Sequence, residues 1–154
     1  MLIADPRAAD PNLIARRLLT ERFVTAQRKG HPRGSASFDL DAFCEQDHLL
    51  ISTDGAGFAG VVDVGLAALG RRRRVAASIQ SYALAPFIVQ ATDLICTLPR
   101  RLLSRFENSL ELYEPPLEIE AFALSMIWHP RNQDDAGHLW LRGQLEAVAR
   151  NATA

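Results

Sequence analysis

The alternation of strand-like and helix-like patterns constrains the fold of this chain more than any other feature. Short apolar or alternating runs, typical of strands, cover residues 22–28, 48–52, 75–79, 94–98 and about 119–128, and another precedes Pro115. Apolar residues spaced as on one face of a helix cover residues 39–44, 61–69, 84–91, 100–106 and 136–150. Strands and helices in alternation predict an α/β domain with a parallel sheet.

Several residues predict where the helices begin, end and face the core. Ser37 or Asp39 is a suitable cap for helix 39–44, Gly70 for the end of helix 61–69, and Pro99 for the first turn of helix 100–106. Two buried stripes are expected from the spacing of apolar residues: Val61, Val62, Gly65, Leu66 and Leu69 in one helix, and Leu141, Leu145 and Val148 in the last.

The composition excludes several classes of protein. The chain has 154 residues, of which 48% are hydrophobic and 23% charged, with a formal net charge of −1. This suits one compact domain or two small lobes, and it disfavours disorder and a chain-wide electrostatic contact with nucleic acid. No window approaches the ~20 apolar residues of a membrane span, and no secretory signal is recognisable. We therefore expect a cytoplasmic protein without a membrane partner.

Residues Gly55 to Gly60 form a GxGxxG sequence between a strand and a helix. In a nucleotide-dependent oxidoreductase such glycines let a pyrophosphate approach the helix N-terminus. That function also needs an acidic residue at the end of the next strand, which ends instead in Gln80-Ser81-Tyr82, and Asp54 would repel a phosphate. The alternative interpretation is a turn of small residues that brings the helix close to the sheet. The oxidoreductase is kept as the second hypothesis.

The run Arg71 to Arg74 has two possible explanations. It could contact nucleic acid, but aromatic residues are not interleaved with it. The favoured interpretation is a solvated cluster at the end of a helix, where the helix dipole favours cations.

Residues for metal or nucleophilic chemistry are not grouped in the sequence. The four histidines are scattered, and Cys44 and Cys96 have no metal-ligand spacing. The two cysteines are interpreted as small buried side chains. No catalytic residue, metal or cofactor is therefore predicted.

Polar residues cluster where successive predicted strands end. In open α/β sheets, small ligands bind at the edge formed by the carboxyl ends of the strands. Hydroxyl, amide and backbone N–H groups at this edge can hold a carboxylate or a phenol without reacting with it. Ordinary turn polarity explains the same residues equally well. The candidate binding residues are Ser52, Thr53, Asp54, Gln80, Ser81, Tyr82 and Thr97.

The order of several segments resembles a known family. The segments are TERFVTAQRKGHP, FDLDAFCEQDHLLIS, TDLICTLP and WHPRNQDDAGHLWLR, which together extend over nearly the whole chain. Their order is similar to the effector-binding region of LysR-type transcriptional regulators, in the branch of nodulation and aromatic-degradation regulators. The resemblance implies a sensor of a small aromatic or carboxylated inducer, which is not an enzyme.

The resemblance also implies a type II periplasmic-binding-protein-like α/β fold, with one complete lobe plus part of a second lobe joined by crossover strands. Residues 1–30 would be a partial first lobe and the first crossover strand, and 31–117 a complete second lobe. Residues 118–154 would be the return crossover strand and the C-terminal helix of the first lobe. The inducer would bind in the cleft between the lobes, at the candidate residues already named.

The chain departs from the family's pattern at its beginning. Family members carry an N-terminal helix-turn-helix domain and the opening half of the first lobe, and this sequence has no counterpart of either. We therefore expect contact with DNA only through a missing N-terminal domain. Exposed edges and apolar faces of the incomplete lobe would favour self-association or pairing with a full-length regulator.

Overall fold

The chain forms two compact units. The structure is a computed structural model that describes residues 1–52 and 58–153, without the side chains of Ala8 and Thr153. Unit 1 comprises Met1–Glu21 and Ala121–Ala154, and unit 2 comprises Arg22–Glu120. Among the described residues, no helix combines the length and the apolar character that crossing a bilayer requires.

The secondary structure follows the predicted order from residue 23 onwards. The strands are β1 Leu2–Ala4, β2 Ile14–Glu21, β3 Phe23–Arg28, β4 Asp47–Ile51, β5 Arg74–Ile79, β6 Cys96–Pro99, β7 Leu110–Tyr113 and β8 Phe122–Trp128. The helices are α1 Leu40–Glu45, α2 Val61–Ala68, α3 Ala85–Ala91, α4 Arg100–Leu103 and α5 Ala136–Thr153. Short 3-10 helices cover Pro6–Ala8, Ser104–Phe106 and Pro130–Asn132.

Unit 1 is a three-stranded antiparallel sheet with α5 packed against β2. The central strand is β8, which pairs with β1 on one side and β2 on the other. Met126 and Ile127 of β8 are fully buried. Strand β2 contains a bulge, because the register with β8 shifts between Arg17 and Leu19. The sequence patterns did not predict β2, and β8 begins at Phe122 rather than near residue 119.

Unit 2 contains a mixed sheet, so the predicted parallel pairing accounts for only part of it. Strands β4 and β5 are parallel, whereas β3 lies antiparallel between β6 and β7. A parallel bridge between His48 and Ile95 joins the two groups, with a 2.8 Å hydrogen bond from Leu49 N to Ile95 O. Helices connect β4, β5 and β6, which makes these strands parallel. Strand β3 runs in the opposite direction, and the alternation of elements carried no information on that.

Helix α2 shows how the core of unit 2 is built. Val62 and Leu66, four residues apart, are buried against a cluster that includes Phe43 and Ile95. Each such side chain contributes about 1.5–3 kcal/mol by leaving water. The predicted stripe was too wide, because Val61 and Leu69 are exposed.

The predicted helix ends are partly confirmed. Asp39 caps α1 by accepting a 2.7 Å hydrogen bond from Ala42 N. Gly70 follows α2 with φ of 67°, a left-handed conformation that favours glycine. Pro99 is the last residue of β6 and the N-cap of α4, not a residue of its first turn. Leu141 and Val148 of α5 are exposed, so the predicted buried face of that helix was wrong.

Candidate functional site

Two of the candidate residues lie side by side at the carboxyl ends of the parallel strands. Ile51 and Ile79 are register partners at the ends of β4 and β5, so Ser52 and Gln80 follow at neighbouring positions. Ser52 N donates a 2.9 Å hydrogen bond to Ile79 O, which continues the ladder to the edge. Ser52 is buried to 9% exposure, and Gln80 is exposed. This edge therefore combines a shielded hydroxyl with an accessible amide.

The turn between β5 and α3 carries two more candidates. Ser81 is half-buried and Tyr82 is 43% exposed, directly after Gln80 and before the start of α3 at Ala85. Thr53 and Asp54 lie outside the described residues, as do Gly55 and Gly57 of the GxGxxG sequence.

Thr97 is not in a turn, as the sequence suggested, but inside β6. Its run remains a strand up to Pro99 because β3 pairs with it, and Thr25 is its register partner. The two hydroxyl oxygens are 3.0 Å apart in a buried hydrogen bond. The Thr97 hydroxyl is therefore engaged within the sheet.

The N-terminus of α2 is occupied by a side chain of its own helix. Gly60 N donates a 2.7 Å hydrogen bond to Asp63 Oδ2. The Asp63 carboxylate also accepts from Arg73 Nε at 2.9 Å and Arg73 Nη2 at 2.8 Å. A Cβ atom on Gly60 would lie 3.1 Å from Leu50 Cδ1, so the small residue allows the close approach of helix and sheet. A carboxylate stands where a pyrophosphate would need to bind.

The Arg73 side chain is buried, so the prediction that the arginine run is a solvated cluster is wrong for this residue, whereas Arg71, Arg72 and Arg74 are exposed. The Arg73 side chain is 2% exposed, and its Nη1 is 3.1 Å from His48 Nδ1. Arg71 and Arg74 are exposed and pair with Asp41 and Asp47. The cause is Asp63, which supplies a partner for one guanidinium in the interior.

The protonation of His48 and Asp63 follows from this arrangement. His48 is fully buried, and because Arg73 donates to Nδ1, the proton is assigned to Nε2, which donates to Phe43 O at 2.8 Å. Burial, followed by the charge of Arg73, lowers the pKa of His48 to about 4. Burial alone would raise the pKa of Asp63, but the hydrogen bonds and charge of Arg73 outweigh it and lower the pKa.

A second polar cluster, which is partly buried, surrounds Gln27 of β3. Gln27 Nε2 donates to Glu111 Oε2 at 2.7 Å and to the main-chain oxygen of Gly34 at 2.8 Å. The guanidinium of Arg33 lies 3.5 Å from the ring centroid of Phe38 and donates to Gln27 Oε1. These contacts hold the loop that follows β3.

The motif Trp128…His138…Arg142 forms an anchor in unit 1. Arg142 is 5% exposed and lies 4.6 Å from the ring centroid of Trp128. The Arg142 guanidinium donates hydrogen bonds to Asn132 O at 3.2 Å and to Gln133 O at 2.6 Å. Its Nη1 atom lies 2.9 Å from His138 Nδ1. The motif attaches α5 to the end of β8, which explains these residues structurally.

The cysteines are placed as expected only in part. Cys96 is fully buried, and burial raises the pKa of its thiol to about 12. Cys44 is half-buried, and burial raises its pKa despite the nearby charge of Arg73. Both thiols are therefore poor nucleophiles at neutral pH. Across residues 1–52 and 58–153, no three His, Cys, Asp or Glu residues are grouped to hold a metal ion.

Known regulators are similar in sequence to this chain. SyrM of Rhizobium meliloti (strain 1021) is 28% identical over 154 residues, covering 99% of this chain and 47% of the relative. LinR of Sphingobium indicum is 34% identical over 147 residues, covering 91% and 48%. NahR of Pseudomonas putida is 32% identical over 138 residues, covering 86% and 46%. The chain thus spans about half the length of these relatives.

Solved structures share the fold. The probable transcriptional regulator PA0477 from Pseudomonas aeruginosa has a TM-score of 0.79 and 27% identity, covering 91% of this chain and 47% of that chain. The regulatory domain of MexT, a transcriptional activator in Pseudomonas aeruginosa, has a TM-score of 0.78 and 24% identity, covering 94% and 70%. The effector-binding domain of QuiR in complex with shikimate has a TM-score of 0.72 and 12% identity, covering 94% and 68%.

These similarities confirm the predicted α/β, periplasmic-binding-protein-like fold, and they give no support to the oxidoreductase hypothesis. The LysR substrate binding domain family matches residues 1–150, which is nearly the whole chain. The chain belongs to the LysR substrate binding domain family.

Proposed function

We propose that this chain is the effector-sensing part of a LysR-type transcriptional regulator, and that it binds a small inducer at the edge where β4 and β5 end. The observation that carries the proposal is the neighbouring position of Ser52 and Gln80 on this edge, in a domain of that family. Carboxyl edges of parallel strands are the usual ligand sites of open α/β sheets.

The chemistry of this edge favours an aromatic or carboxylated ligand. Hydroxyl and amide groups of Ser52, Gln80 and Ser81 can donate hydrogen bonds to a carboxylate, and the exposed ring of Tyr82 can pack against an aromatic ring. Two domains of similar fold carry ligands, QuiR with shikimate and CcmR of Synechocystis PCC6803 with 2-PG. Thr53, Asp54 and Thr97 remain in the proposed site as predictions.

The two units correspond, in this proposal, to parts of the two lobes. Unit 2, Arg22–Glu120, would be the second lobe, and unit 1 would be part of the first lobe. The predicted divisions at residues 1–30, 31–117 and 118–154 stay predictions, as does the cleft between the lobes. Inducer binding would shift the balance between conformations of the regulator without chemical reaction.

The remaining partners follow the same proposal. Relatives of this chain are named HTH-type transcriptional regulators, and full-length CbnR is known in complex with its target DNA. This chain would contact DNA through a separate domain and would associate with itself or with a full-length regulator.

Isothermal titration calorimetry of the 154-residue chain with salicylate, benzoate and shikimate tests the proposal. Saturable binding of at least one of them is expected. Because a neutral hydrogen bond is worth about 0.5–1.5 kcal/mol, Ser52→Ala and Gln80→Ala should each weaken binding about 2–12-fold. Gln144→Ala, an exposed glutamine of α5, is the matched control and should bind as the unmodified chain does.

Titration of the same chain with NAD and NADP tests the oxidoreductase hypothesis. Saturable binding of a nucleotide, together with no heat from any of the small acids, would contradict the proposal and restore the oxidoreductase hypothesis.

A further inference from the structure

Unit 1 contains a pocket that the proposed inducer site does not use. Its volume is about 180 Å³. It lies where α5 packs against β2. The lining residues are Arg16, Arg17, Leu18, Glu146, Ala149 and Arg150.

The bulge in β2 lies among the residues that line this pocket. In a regular strand, successive side chains point to opposite faces, and a bulge interrupts this alternation locally. The register with β8 advances from Arg17–Ser125 to Leu19–Leu124, which leaves Leu18 as the extra residue. Bulges occur preferentially where a strand redirects side chains towards a functional site.

The side chains that line the pocket carry a formal net charge of +2, from three arginines and one glutamate. The Glu146 carboxylate lies 2.8 Å from Arg16 Nη1 and 4.0 Å from Arg150 Nη1. Within the part of the chain that the structure describes, the side chain of Arg17 makes no hydrogen bond or ion pair, whereas its main chain pairs with β8. The floor is apolar, since Leu18 is half-buried and Ala149 is 7% exposed. The lining residues therefore carry three guanidinium groups and one carboxylate.

We propose that this pocket binds a phosphate-class anion, held by Arg17 with Arg16 and Arg150. Guanidinium groups match the oxygens of a phosphoryl group with two parallel hydrogen bonds. The remaining volume and the floor formed by Leu18 and Ala149 suit a small apolar substituent, so a phosphate monoester should bind more tightly than inorganic phosphate. This site is separate from the proposed inducer site, which lies in unit 2.

Titration of the full chain with inorganic phosphate and with phenyl phosphate tests the site, at constant ionic strength maintained with sodium chloride. The readout is the Nε–Hε signal of each arginine in a ¹H–¹⁵N correlation spectrum. The Arg17 signal should move and saturate, and phenyl phosphate should saturate it at a lower concentration. If phenyl phosphate were no tighter than phosphate, the ligand would be a free phosphate rather than an ester, and that part of the proposal would be wrong.

Three variants separate a built site from general attraction to positive charge. Arg17→Ala should abolish saturation. Glu146→Gln removes a competing negative charge about 4 Å away, and at ~1 kcal/mol in water its loss should tighten binding about fivefold. Arg72→Ala, an exposed arginine of unit 2, should leave binding unchanged. Equal shifts with chloride alone, or weakening by Arg72→Ala as large as by Arg17→Ala, would overturn the proposal.

Discussion

The buried contact between Arg73 and Asp63 predicts a large loss of stability when Arg73 is replaced by methionine. Methionine retains much of the side-chain volume but removes the charge. The variant deprives Asp63 of both hydrogen bonds from the guanidinium and leaves His48 Nδ1 without its donor. The helix N-terminus at Gly60 would still hold the carboxylate, so the fold should persist with reduced stability.

The size of this loss follows from burial. Removing one partner of a buried ion pair costs about 3–5 kcal/mol. Asp63 is 22% exposed, and water can partly solvate its charge, so the low end, about 3 kcal/mol, is expected. For a chain of this length, about 2–4 °C is lost per kcal/mol, which gives a fall in Tm of about 6–12 °C. The matched control is Arg74→Met, whose side chain is 72% exposed, and surface pairs are worth about 0–1 kcal/mol.

Urea unfolding followed by circular dichroism measures both variants, with Asp63→Asn and the double variant added to complete a thermodynamic cycle. The expected result is a difference of at least about 2 kcal/mol between Arg73→Met and Arg74→Met. Equal losses below about 1 kcal/mol would refute the reasoning, because they would show that Arg73 behaves as a surface charge.

Three further results are expected from the same unfolding assay. Below pH 6.5 the unfolded chain gains a proton at His48 that the folded chain excludes until about pH 4, so stability should fall over this window by at most about 3 kcal/mol. His48→Gln should flatten that dependence, and an unchanged pH profile would count against a neutral buried imidazole. Thr97→Val should cost about 1–2 kcal/mol by leaving the buried Thr25 hydroxyl unpaired, whereas replacing both threonines by valine should recover most of the loss. Arg142→Leu should cost about 3 kcal/mol, since Asn132 O and Gln133 O lose their donor, and exposed Arg131→Leu should cost less than about 0.5 kcal/mol.

The sequence predicted the elements of unit 2 well because each is short and bounded by distinct residues. Asp39 and Gly70 mark real helix ends, and the rule for parallel strands correctly placed Ser52 next to Gln80. Thr97 could not be placed in the same way. Its strand continues because β3 pairs with it, and such pairing between distant residues has no local signature.

The sequence was less informative where contacts between residues distant in the chain decide the structure. Strand β2 escaped prediction because its bulge interrupts the alternation expected of a strand. The local sequence does not distinguish the four arginines of the run. The side chain of Arg73 is buried because Asp63 pairs with it. In α5 the apolar spacing predicted that Leu141 and Val148 would be buried. Arg142 is buried instead, because it contacts the ring of Trp128 and donates a hydrogen bond to Gln133 O.

The central claim, that this family member senses a small effector at the edge of β4 and β5, is tested most directly by locating the bound ligand. ¹H–¹⁵N spectra of the 154-residue chain would be recorded during titration with salicylate and with shikimate. The account predicts that the largest saturable shifts occur at the backbone amides of Ser52, Gln80 and Ser81. Saturable binding with shifts confined to α5 and β2, and none at this edge, would contradict it.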